Sequence, residues 1–305
     1  MSAYSKMVLW CCGTICVLLM CPSASAQDMR IVRDSVMEGY MKSGRANKLF
    51  KPTGKTDRND LRQGKWKDYK VEYDFAVFEG KEHPRRLKSW YLTYGEGQYL
   101  DGEREGPWRC YIIEDKTFKR FPYKEVTYVR GVEQGTVTYT YPDGSKGCMA
   151  SYVDGELQGE TKTYYKNGAL HLTFTYLNGR VEGQMMGFYN DGKLKFTDHY
   201  VNDTLQGPSV RYYPSGQVEE EFTYAAGEIH GTYRYYHPNG QLWVEWTYDN
   251  GKTMNVTGSY DAQGNPRDPG TLKDGNGTLL HYDENGRVYF VRTFKDGVVV
   301  SKEER

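Results

Sequence analysis

Glycine recurs in this chain with a fixed period, and that period constrains the fold more tightly than anything else in the sequence. Gly144, Gly168, Gly192, Gly216, Gly240 and Gly264 are spaced 24 residues apart, and Gly286 follows after 22. A second series runs Gly131, Gly155, Gly179, Asp203, Gly227, Gly251, Gly275, and a third runs Gly135, Gly159, Gly183, Gly207, Gly231. Tyr128, Tyr152, Tyr176, Tyr200, Tyr224 and Tyr248 keep the same spacing without a gap. Self-similarity at such a period marks stacked units, none of which buries its apolar face alone.

Each unit contains two short runs rich in β-branched and aromatic residues, separated by turns such as YPDG (141–144), YKNG (165–168), YPSG (213–216) and HPNG (237–240). In YPDG, Pro142 presets φ, Asp143 suits the second turn position, and Gly144 supplies the positive φ of a type I turn with a G1 bulge. A three-residue loop pairs the residues that flank it. Even-numbered residues before and after the turn are therefore expected on one face, the core face. It would carry Tyr164, Phe188, Tyr212, Tyr236, Tyr260 and Tyr282 before the turns, and Leu170, Leu172, Phe174 and Tyr176 after one of them. Period-two alternation leaves the odd face polar.

Two strands and two turns fill 24 residues and leave no room for a covering helix. The expected fold is all-β: an elongated, single-layer, twisted antiparallel β-meander of 24-residue hairpin repeats, about seven of them regular. The composition agrees, with 28 Tyr and 34 Gly against 11 Phe and a mean hydropathy of −0.78. Rings that cover a large area with a polar tip in water suit a thin sheet. Forty basic and forty acidic residues cancel, so the basic footprint of nucleic-acid binding is missing.

Four segments are expected. Residues 1–26, with Lys6, an apolar run over 7–21 and PSASA before Gln27, read as a signal peptide cleaved after Ala26. The run is short for a membrane span, and lipidation of Cys21 would need a smaller residue than Met20 before it. Residues 27–63 read as an N-terminal linker or cap segment with room for a short helix near 31–41. Residues 64–122, with Gly64-Lys65-Trp66 and Gly106-Pro107-Trp108, read as divergent repeats or a cap. Residues 123–305 form the regular array. Cys110 and Cys148 are the two cysteines left after cleavage. In a consecutive meander they stand three strands apart, roughly 14 Å and beyond bridging distance, so two thiols are expected.

The unit Tyr164-Tyr165-Lys166-Asn167-Gly168-Ala169-Leu170, continued by an alternating strand ending in Tyr176 and by Asn178-Gly179 and Gly183, resembles the bacterial variant of the MORN repeat, often grouped under a YwqK-like antitoxin heading. The resemblance is strong over 123–251, weaker over 252–300 and partial over 64–122. It implies a β-hairpin array used for association, with no catalytic residues to carry over. Asp203 and Asn255 depart from the expected glycines, and a cleavable signal fits poorly with a cytoplasmic antitoxin. The aromatic-glycine repeats of choline-binding modules are a second likeness, but they are Trp-rich and close to twenty residues long.

Six histidines (His83, His171, His199, His230, His237, His281) form no short metal motif, and His171 and His199 are expected on the solvent side. The acidic turns 274–277 and 283–286 lack the spaced oxygens of a calcium loop. Gly54-Lys55-Thr56 lacks the upstream glycine of a P-loop. No catalytic, cofactor or metal residue is assigned. Glu220 stands at core parity, where a carboxylate needs a partner. The expected function is a non-enzymatic, exported protein-binding or scaffolding module, periplasmic, outer-envelope or secreted. A glycan-binding surface module and an antitoxin-type protein are the alternatives. The candidate partner-binding residues are Tyr141, Tyr165, Tyr189, Tyr213 and Trp243, which either grip a partner or clamp their own turns.

Overall fold

The computed structural model describes residues 53–76, 86–113, 119–283 and 285–305. The expected leader at 1–26 and the helix near 31–41 lie outside the described residues. Among those residues every regular element is a strand or an isolated bridge. The chain divides into two compact units near residue 160.

In the first unit, β1 (Thr53–Thr56), β2 (Arg62–Ala76), β3 (Arg86–Leu100), β4 (Glu103–Ile113), β5 (Arg120–Val129), β6 (Val132–Thr140), β7 (Lys146–Val153) and β8 (Glu156–Leu157) follow in chain order. Each pairs antiparallel with the next. The segment expected as a linker is therefore strand from Thr53. The strand β9 (Gly159–Tyr164) lies at the division.

The second unit continues the pattern with β10 (Leu170–Leu177), β11 (Arg180–Phe188), β12 (Leu194–Val201), β13 (Thr204–Leu205), β14 (Gly207–Tyr212), β15 (Val218–Ala225), β16 (Glu228–Ile229), β17 (Gly231–Tyr236), β18 (Leu242–Asp249) and β19 (Lys252–Ser259). These strands again pair consecutively and antiparallel. A separate three-stranded sheet follows, formed by β20 (Gly277–Tyr282), β21 (Val288–Lys295) and β22 (Val298–Glu304). Its Leu279 and Phe294 join Leu272 in a small core that packs on Val244 and Val256 of the preceding strands.

The turns form as their residues require. Gly144, Gly168, Gly192, Gly216, Gly240 and Gly264 all take positive φ, and the Gly216 N–H donates to Tyr213 O (2.8 Å) while the Tyr213 N–H donates to Gln217 O (2.9 Å). One residue beyond the expected loop, however, the register slips. Tyr212 pairs with Val218, but Arg211 pairs with Glu220, leaving Glu219 without an opposite residue. The same bulge isolates Gly147, Lys195, Trp243 and Tyr289.

A bulge moves every residue beyond it to the opposite parity, which overturns half of the expected facing. After the turns the core residues are even, as expected: Cys148, Ala150 and Tyr152, Leu172 and Phe174, Phe222 and Tyr224 are buried. Before the turns they are odd: Val137, Tyr139, Thr161, Thr163, Met185, Ser209 and Tyr233. Tyr164, Phe188, Tyr212 and Tyr236 are only half-buried.

Rings make up the core. In the first unit Trp66, Tyr99, Trp108 and Tyr128 meet edge to face with centroids 5.8, 5.3 and 6.1 Å apart. In the second, Phe222, Tyr233 and Trp246 stack nearly flat across three strands at 4.9 and 4.7 Å. Such contacts contribute about 0.5–1.5 kcal/mol per pair beyond area burial. Cys110 on β4 and Cys148 on β7 are both thiols, three strands apart.

Candidate functional site

The candidate aromatics sit at the hairpin-turn edge. Tyr141, Tyr165, Tyr189 and Tyr213 each open a turn, and all four are half-buried. The backbone hydrogen bonds within the turn fix the first residue, so its side chain projects along the sheet edge toward the next hairpin. The hydroxyl then donates to a carbonyl 23 residues on: Tyr141 to Tyr164 O (2.9 Å), Tyr189 to Tyr212 O (2.6 Å) and Tyr213 to Tyr236 O (2.6 Å). His237, at the same position one repeat later, uses Nε2 to reach Tyr260 O (3.0 Å). The aromatic ladder is thus a set of clamps from one turn to the next hairpin.

At three of the clamps the bulge residue supplies the other wall. Gly147 lies beside the Tyr141 ring, Lys195 Nζ stands 5.6 Å from the Tyr189 centroid, and Trp243 lies flat on His237 with centroids 4.6 Å apart. Trp243 also meets Tyr235 at 5.4 Å. As a bulge residue Trp243 escapes the strand alternation; its neighbour Tyr235 opposes Glu220 and Val244 on the core side. Its odd number would place Trp243 on the polar face, but the bulge assigns it to neither face. Burial, with Glu219 and Asp191 nearby, raises the Tyr189 hydroxyl above the usual phenol range; burial does the same for Tyr213. Both remain neutral donors at ordinary pH.

The opposite edge consists of two-residue turns in which both residues take positive φ, as in Asp154-Gly155 and Asn178-Gly179. The Gly155 N–H donates to Glu133 O, and the Gly227 N–H to Leu205 O. A side chain closes each loop: Arg130 N donates to Glu105 Oε2, Asp154 N to Gln134 Oε1, Asn202 N to Glu182 Oε2 and Ala226 N to Gln206 Oε1, at 2.7–2.8 Å. The recurring Glu or Gln immediately before the third-series glycine was visible in the sequence and was not recognised as an acceptor. Asp203, in place of glycine, keeps φ at 65° and accepts the Val181 N–H at 2.6 Å.

Two charge ladders cross the strands. On the core side buried Asp198 holds Arg211 through both oxygens (2.8 and 3.2 Å) and accepts from the Ser209 hydroxyl. Arg211 lies over the Phe196 and Phe222 rings and opposes Glu220. Burial raises the Glu220 carboxyl above the usual carboxylate range, while a hydrogen bond with Tyr233 and the Arg211 charge act the other way. On the other side Arg234 bridges Glu221 and Glu245, and Thr257 donates to Glu245. These ladders satisfy each other internally, which is what fold stabilisation needs. His171 is half-buried, contrary to the solvent-side expectation, and burial lowers its pKa.

Among the described residues no three His, Cys, Asp or Glu side chains converge in a way that would hold a metal ion. Also among them, no helix is long and apolar enough to cross a membrane. No curated protein matches the chain. Four consecutive segments, residues 157–178, 181–202, 205–226 and 229–250, match the MORN repeat variant, and the hairpins over these residues are similar to that repeat.

Proposed function

We propose that the repeats form a non-enzymatic, exported module that binds or scaffolds a protein partner through the outer face beside the two-residue turns. The observation that carries this reading is a periodic row of exposed aliphatic side chains. Val129 and Val153 in the first unit are each 47% exposed, and Leu177 and Val201 in the second are 48% and 38% exposed. Each directly follows a tyrosine of the core ladder and so faces outward. Single exposed aliphatics are common, but within each unit a pair repeated at the period of the fold suits a contact along that unit's outer face. Export rests on the leader-like composition of 1–26.

The row is tested by crosslinking a tagged chain in its native envelope and comparing it with Val129→Asp/Val153→Asp/Leu177→Asp/Val201→Asp. A discrete crosslinked species lost in the variant, with an unchanged far-UV spectrum, is expected. Its retention would rule out the row. Within the second unit Tyr189, Tyr213 and Trp243 constitute the second surface, favoured by the flat Trp243–His237 stack at the turn edge. Because Tyr189 and Tyr213 also clamp backbone, Phe replacements isolate the contribution of their hydroxyls.

A further inference from the structure

One of the two-residue turns departs from the repeat at two positions. Elsewhere glycine stands second, as at Gly155, Gly179, Gly227 and Gly251, and a charged residue follows it, as at Glu156, Arg180, Glu228 and Lys252. Where β12 turns into β13 the same positions read Asn202-Asp203-Thr204. Asp203 holds a φ of 65°, which glycine adopts at less cost, and is tied back to the sheet by the Val181 N–H. Thr204 is exposed and completes Asn-x-Thr, the tripeptide on which exported chains accept an N-linked glycan. Asn178 and Asn250 share the turn position of Asn202 but are followed by Gly179-Arg180 and Gly251-Lys252, without the hydroxyl.

Three such tripeptides occur in the chain, beginning at Asn202, Asn255 and Asn276, and the fold treats them differently. Asn255, half-buried on β19, donates to Thr247 Oγ1 (3.1 Å) and accepts from the Asp274 N–H (3.0 Å), while Thr257 donates to Glu245. Asn276 donates to the Asp274 carbonyl (3.0 Å) and accepts from the Asp296 N–H (3.2 Å), and the Thr278 hydroxyl meets that of Thr271. Both carboxamides are held at both ends, so a sugar on the nitrogen would crowd bonds that the fold uses. Asn202 is bonded through its backbone instead. Its N–H donates to Glu182 Oε2 (2.8 Å) and its carbonyl receives the Thr204 hydroxyl at 3.5 Å. The Asn202 carboxamide is left to solvent at an exposed loop tip, where a bulky hydrophilic substituent is tolerated.

We propose that Asn202 is the N-glycosylation site of this chain. A lipid-pyrophosphate-linked oligosaccharide is the donor. A bond forms between Asn202 Nδ2 and the anomeric carbon of the sugar, and the bond from that carbon to the phosphate oxygen breaks. The lipid pyrophosphate leaves with the electron pair, and one amide proton passes to a base of the transferase. The Thr204 hydroxyl is the group by which the transferase recognises the acceptor. This inference rests on the export reading of residues 1–26 and not on the outer row or any protein partner.

The test recovers the chain from its native envelope, reads its N terminus and maps its peptides by mass before and after peptide N-glycosidase in heavy-oxygen water. The expected result is an N terminus at Gln27 and a glycan-bearing peptide around position 202, whose release leaves a labelled aspartate there. Asn202→Gln and Thr204→Val are expected to abolish the glycan, Thr204→Ser to keep it, and Asn255→Gln/Asn276→Gln to leave it unchanged. If a variant fails to fold, the map of the unaltered chain decides alone. A chain beginning at Gln27 with Asn202 bare, or with sugar on Asn255, Asn276 or the Thr204 hydroxyl instead, would overturn the proposal and leave the export reading standing. A cytosolic chain that keeps residues 1–26 and carries no sugar on Asn202 would overturn both.

Discussion

Glu220 is the residue that the repeat pattern leaves unexplained, and its neighbours now account for it. It lies at a core position beside Arg211, but Arg211 is already engaged by both oxygens of Asp198. Glu220 therefore receives that charge only second-hand, and burial dominates, raising its pKa. An acid whose folded pKa is raised contributes most below its unfolded pKa, near 4, and loses that contribution as pH rises through the folded value. Glu220→Gln, which mimics the protonated form, should therefore match the unaltered chain near pH 4 and exceed it at pH 7. Urea midpoints at the two pH values check this; a gap that shrinks as pH rises would mean that Arg211 and Tyr233 outweigh burial.

The hairpin is the element at which sequence reasoning both succeeded and failed. Turn positions were legible because Pro, Asp, Asn and Gly have backbone preferences that act within four residues. The tyrosine ladder was legible because 24 is even and the ladder lies in the strands after the turns, where even parity is the core parity. The bulge was not legible: Gly147, Lys195, Glu219 and Trp243 share no chemistry, since an unopposed residue answers to no cross-strand partner. The clamps from Tyr141, Tyr189 and Tyr213 were legible only as alternatives, and the packing of the C-terminal sheet on Val244 and Val256 not at all. There the spacing drops to 22 and the contacts join strands that no local pattern relates.

Glycines within one strand separate two kinds of constraint. Gly183 has a φ of 75° with open space around its α-carbon, whereas Gly187 has ordinary backbone but carries the Phe196 ring across it. Gly183→Ala should cost about 1–2 kcal/mol through backbone strain in any background. Gly187→Ala should cost about 1–3 kcal/mol through overpacking, and Phe196→Ala should remove most of that cost. A double-mutant cycle by chemical denaturation measures the coupling. Additive effects at Gly187 would show that the ring moves aside freely.

For the molecule as a whole, a repeat array has two kinds of content, a periodic frame and aperiodic side-chain pairs laid on it. Deleting 206–229 removes one full period together with its bulge at Glu219. The junction joins Leu205 to His230, which precedes Gly231 just as Gln206 precedes Gly207, so β17 can take the place of β14 beside β12. Deleting 207–229 instead leaves a one-residue slip and turns every later side chain to the wrong face. The first deletion should keep a cooperative β fold by circular dichroism and the second should not. The frame survives the first cut, but the charge pair does not. Asp198, only 7% exposed, loses Ser209 and Arg211 and faces the Tyr233 ring. A single substitution should then reverse sign between backgrounds. In the full chain Asp198→Leu strands Arg211 and should cost about 3 kcal/mol or more. In the 24-residue deletion it removes an unpaired buried carboxylate and should stabilise. Denaturation of the four proteins reads the sign directly, and a cost in both backgrounds would mean that β17 does not adopt the register of β14.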